Sequence, residues 1–194
     1  MSTNLVTAPT IEPLTLTEAK NHLRVDITDD DTYITNLIVA ARLAAENYTG
    51  RAFITQTWDL FIDKFPTAGA FIEIPKPPLQ SVTTVKYTDA DGNQQTLASS
   101  VYTVDTNKEM GTVTLAYNQS WPTIRAVPNA VEIRFIAGYG ATASTVPEGI
   151  KHAMRMLIGH LYERRETTMV GMPIVSVPQA FEWLLNPYKV TRFA

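Results

Sequence analysis

A chain of 194 residues with no cysteine, a net charge of −3 and 45% hydrophobic residues has enough length for a core that needs no disulfide. Those figures exclude thiolate metal sites and cysteine nucleophiles, and they leave no basic stripe for gripping a nucleic acid by phosphate neutralisation. No apolar run approaches the roughly 18–20 residues of a membrane span. The opening MSTNLVTAPTIEPL has neither a basic region nor an apolar one, so no secretory signal is expected.

In chain order, the first eleven residues are polar and are expected to be loose. LTLTEAKNHLRV then places Thr15 and Glu18 at capping-box spacing, which predicts a short helix from about residue 16. A second helix is expected after Thr28 as N-cap, with Asp29, Asp30 and Asp31 in a first turn where the dipole favours anions. Tyr33, Ile34, Leu37, Ile38, Ala41, Ala45 and Tyr48 recur at three- and four-residue steps, and Gly50 supplies the stop. From Ile54 the period changes to two. Short runs such as TQTWDLFID, SVTTVKYTD, GTVTLAY and AVEIRFIAGY predict a mostly antiparallel sheet over 55–138, with a hairpin turn at Asp91–Gly92–Asn93. The prolines of PKPPL should connect strands, and AGYGATAS should close the sheet as a flexible turn. A last long helix is expected near Pro147, capped by Thr145, with Ile150, Ala153, Met154, Leu157, Ile158 and Leu161 as its apolar stripe. The fold class is therefore α+β: a small helical bundle from the N- and C-terminal helices, 14–53 and 146–166, with a β-rich insertion over 55–138.

Candidate chemistry is thin. His152 and His160 are eight residues apart on one helix, about 80° apart in azimuth and about 12 Å apart in rise. Two histidines that share a zinc from one helix need a four-residue step, so these two are expected at a surface or an interface. TDDDT lacks calcium-loop spacing and reads as helix capping. AGYGA opens no phosphate-cradling helix, and no nucleophile elbow is present. No catalytic, cofactor or metal residue is assigned. Glu163, Arg164, Arg165 and Glu166 suit solvated ion pairs at a helix end, with carboxylates of a partner as the alternative for the two arginines. Phe181, Trp183, Leu184, Leu185, Tyr188 and Phe193 cluster near the C-terminus. Such a segment either docks on its own domain or reaches a neighbour, and both readings stand at this point.

The order of these segments resembles the head–tail connector (adaptor) proteins of long-tailed phages and prophages. The resemblance is carried by LTLTEAKNHLRVDITDDDTYITNLIVAARLAAENYTGRAF, the β-rich middle, VPEGIKHAMRMLIGHLYERRE and the terminal WLLNPYKV. It implies a non-enzymatic virion protein in the neck, forming a ring, dodecameric in the virion, beneath the portal. It also implies a stopper or tail-completion protein docking below, and double-stranded DNA passing through the lumen without sequence-specific binding. On this reading no cofactor and no membrane are involved. Tyr162, Arg164, Arg165, Phe181, Trp183, Leu184, Leu185, Tyr188 and Lys189 become candidates for the portal or subunit interface, within a partner-contacting segment over 167–194. Where the family commonly ends in proline–tyrosine–arginine, this chain has Pro187–Tyr188–Lys189. Competing readings are a stopper or tail-completion protein, a small hydrolase using His152 or His160 with Glu163, and a β-rich binding module using Trp58 and Trp121.

Overall fold

The computed structural model describes residues 1–67, 69–164 and 179–191. The chain divides into two compact units, one of residues 1–9 with 55–139 and the other of 10–54 with 140–194.

The first unit is built from strands: β1 (Ser2–Thr7), β2 (Gln56–Ile62), β3 (Ile72–Glu73), β4 (Leu79–Thr88), β5 (Gln94–Thr96), β6 (Tyr102–Asp105), β7 (Thr112–Leu115) and β8 (Val131–Ala137). They form a five-stranded sheet in the order β1-β2-β8-β4-β5 and a three-stranded sheet in the order β3-β7-β6, and every strand pairing is antiparallel. Central β8 alternates buried and half-buried residues along its whole length. Register explains the core, since Leu60 and Val85 flank Ile133, and Ile62 and Tyr87 flank Val131, on one face. On the other face Arg134 grips Asp59 through two bonds of 2.8 and 2.9 Å. Phe65 stacks on Trp121 with ring centroids 4.6 Å apart and meets Tyr87 edge-on. The expected hairpin at Asp91–Gly92–Asn93 joins β4 to β5. There Gly92 takes φ +94°, and the Asp89 carboxylate accepts from the backbone N–H groups of Asp91 and Asn93.

One expectation fails here. The N-terminal residues are not loose, because Ser2–Thr7 forms β1 along β2, with Ser2 opposite Phe61 and Leu5 opposite Trp58. Almost every β1 side chain is exposed. An edge strand of that kind has no buried face, so it leaves no two-residue hydrophobic alternation to read.

The second unit holds α1 (Leu16–Leu23), α2 (Asp31–Thr49), α3 (Glu148–Glu163) and α4 (Gln179–Leu185). The capping box at α1 is complete: the Thr15 hydroxyl accepts from the Glu18 N–H, and the Glu18 carboxylate accepts from the Thr15 N–H at 2.8 Å. That backbone bond, above all, holds the Glu18 carboxyl below its ordinary pKa. Thr15→Ala should therefore lower stability by about 1 kcal/mol, readable as a shifted denaturant midpoint with unchanged slope.

Two capping expectations are corrected. Helix α2 begins at Asp31 with Asp30 in the cap position, and the Thr28 carbonyl, not its side chain, takes the Asp31 N–H. Asp31 bonds Lys20 at 2.6 Å instead of serving only the dipole. Before α3, the Thr145 hydroxyl donates back to the Thr142 carbonyl within a short 3₁₀ turn, Ala143–Thr145, and Pro147 occupies the cap position. A hydroxyl engaged by its own turn cannot also cap the next helix. The apolar stripes hold. Ile34, Leu37, Ile38, Ala41 and Ala45 of α2 are buried, as are Ile150, Ala153, Met154, Leu157 and Ile158 of α3. Helix α3 packs against α2 and α4.

Candidate functional site

The C-terminal segment supplies the outward chemistry of the helical unit. Over α4, Phe181 and Leu185 lie four residues apart and share one face. Both are buried, and Phe181 meets the Tyr48 ring of α2 at 6.1 Å. Trp183 falls on the opposite side with 74% of its surface exposed, and Leu184 is half-buried. Beyond α4 the chain is strapped to the end of α2. The Tyr48 hydroxyl bonds Asn186 Oδ1 at 2.6 Å, Arg51 donates to the Tyr188 carbonyl, and the Val190 N–H donates to the Thr49 carbonyl at 2.8 Å. Lys189 lies 4.9 Å from the centre of the Tyr48 ring, within cation–π range. Gly149 at the start of α3 makes room for Tyr188, whose hydroxyl would sit 2.8 Å from any Cβ there.

At the other end of α3, Tyr162 is tied into its own unit. Its hydroxyl donates to Asp30 and its ring packs 6.1 Å from that of Tyr33. Arg164 is exposed at the helix end. Arg165 lies outside the described residues. The structure thus splits the candidates: Phe181 and Leu185 face the core of their own unit, while Trp183, Arg164 and Lys189 face outward. Tyr48, Thr49 and Arg51, which hold the strap, were absent from the sequence candidates. Only the position of Tyr48 at the end of the α2 stripe hinted at such a role.

His22 and His152 sit in a charged setting. Glu148 binds Lys151 at 2.8 Å and also Arg155, and those bonds hold its carboxyl below the usual range. Arg155 also reaches Glu18 at 3.9 Å. The His22 imidazole is held below the ordinary histidine pKa by desolvation first, then by the charges of His152 and Arg155. A group whose pKa is lowered by folding stabilises the fold above its unfolded value, and that contribution disappears as pH falls through the folded value. The unfolding midpoint should therefore drop as pH falls below the ordinary histidine value of about 6.5, and His22→Gln should flatten the drop. An identical slope in the variant would remove His22 as the cause. Among the described residues no group of three His, Asp or Glu side chains is arranged to hold a metal ion. In the strand unit Trp121 gives one ring face to Phe65, and Lys76 lies over Trp58 at 5.3 Å.

An exposed indole on α4, a guanidinium at the end of α3 and an ammonium in the segment after α4 are contact chemistry, the kind that subunit interfaces use. The profile of the head completion protein family matches residues 12–173, and the chain belongs to that family. This agrees with the connector resemblance read from the sequence. The fold is also similar to chains in three solved structures. One, described as the virion of a native gene transfer agent particle, matches at 25% identity with TM-score 0.80. Another, from the neck of the empty particle computed with C6 symmetry, matches at 24% identity and 0.79. A third, from the neck of the native particle computed with C12 symmetry, matches at 23% identity and 0.78. Each match covers 100% of this chain and 98% of the other. No curated protein matches.

Proposed function

We propose that this protein is a non-enzymatic neck component that assembles as a ring beneath the portal, extends the DNA channel and docks the stopper or tail. The observation that carries the reading is the coincidence of a head completion family match over 12–173 with a full-length fold match to chains of a gene transfer agent particle, including its neck. The C12 description of one such neck suggests twelve copies per ring. A ring closes through heterologous contacts, so each copy needs two different complementary faces. Outward Trp183 and Lys189 at the start of α3, or Arg164 at its far end, would serve such a face, toward the portal or the next copy. A net charge of −3 suits a lumen through which DNA slides, because a strongly basic wall would hold the phosphates.

Mixing purified full-length chain with purified portal rings and, separately, with tail tubes tests this assignment. Binding to portal rings alone is expected. Binding to tail tubes alone would move the chain to the stopper or tail-completion role.

A further inference from the structure

Four strands lie at sheet edges, and three of them carry familiar protection against adding a foreign strand. Strand β3 is two residues long and β5 three, while β6 ends at Asp105, paired to Lys108 at 3.9 Å. Strand β1 differs. It runs six residues, and no charged side chain occurs from Met1 through Ile11. Among the described residues nothing pairs with its outer side. Its single bulge falls between Leu5 and Thr7, which leaves Ser2–Leu5 in regular register. Met1, Leu5 and Val6 expose 70%, 47% and 44% of their surface.

A second observation adjoins the first. Met1 also lines an open, mainly apolar cleft of about 430 Å³, together with Ile62, Phe65, Phe71 and Ile72. An extended segment laid along β1 gains main-chain hydrogen bonds from the edge, and a side chain at its Met1 end enters the cleft. Edge for affinity and pocket for selectivity is the arrangement of strand addition. We infer that the outer edge of β1 and this cleft receive an extended segment from a second copy of this chain. The choice of occupant rests on the ring proposed above, where an identical copy flanks every subunit on both sides.

The test uses assembled particles whose chain carries the photoreactive residue p-benzoylphenylalanine in place of Leu5 or, in a second preparation, of Val6. Irradiation should convert the 21.5 kDa band into a ladder of its multiples, with mass-spectrometric peptide pairs joining β1 to another copy. Adducts confined to a different neck protein, or no adduct in particles whose ring is visible by electron microscopy, would overturn this inference and leave the ring intact. Particles whose necks lack the ring would overturn the proposed function and this inference with it.

Discussion

Phe181→Ala should cost the helical unit about 3–5 kcal/mol, while Trp183→Ala, two residues away, should change stability by no more than about 0.5 kcal/mol. The difference follows from burial. Phe181 is 4% exposed and packs toward Tyr48, so its removal leaves a cavity that rigid helices close only in part. Trp183 is 74% exposed and gives up little packing inside its own chain. For a chain of this size the Phe181 loss corresponds to a drop of about 6–20 °C in unfolding midpoint. The order should invert when assembly is measured. On the proposed interface Trp183 is an anchor, and truncating an aromatic anchor costs about 2 kcal/mol or more of binding, roughly 30-fold in affinity for portal rings. Calorimetry of both variants, followed by portal binding of the folded one, checks the pair. A Trp183→Ala chain that binds portal as well as the parent would remove α4 from the interface.

Arg42→Ala should be comparably damaging, by about 3–5 kcal/mol, for an electrostatic reason. Arg42 is 7% exposed and bonds Glu12 at 2.7 Å and Glu46 at 2.9 Å. Glu46, equally buried, also accepts the Phe53 N–H through its other oxygen at 2.9 Å. The guanidinium therefore joins the segment before α1 to α2, and Glu46 joins α2 to the chain that leaves it. Deleting the arginine takes a charged partner away from a buried carboxylate. Asp59–Arg134 in the strand unit offers a graded contrast: Asp59 is as buried as Glu46, but its arginine is half-exposed where Arg42 is buried, so Arg134→Ala should cost less than Arg42→Ala. Chemical denaturation of the two variants under one buffer compares them directly. Equal losses would show that burial is not what sets the value of these pairs.

The elements that bury one face were legible in the sequence. The stripes of α2 and α3 showed at helical spacing, the capping box fixed the start of α1, and Gly92 marked the β4–β5 turn. Strand β1 was not legible, because a strand exposed on nearly every residue has no pattern to show. Thr28 and Thr145 misled for a related reason. Several side chains near each helix start are able to cap; at α2 Asp31 and Asp30 are held by Lys20 and Tyr162, and at α3 the Thr145 hydroxyl is taken by its own turn. In the C-terminal segment the spacing of Phe181 and Leu185 set their common face, but nothing in the sequence identified Tyr48 as what Phe181 meets. The candidate interface is smaller than the sequence suggested, since two of its apolar members are spent on the chain's own core.

On this account the chain works by shape. Helices rigidified by buried stripes present a few outward anchors, and an unprotected sheet edge offers a second kind of contact. Cryo-electron microscopy of the neck in DNA-filled particles tests this most directly. The account predicts a closed ring of this chain directly beneath the portal, with the DNA path running through its centre. Finished, DNA-filled necks in which portal and tail meet with no copy of this chain between them would contradict it.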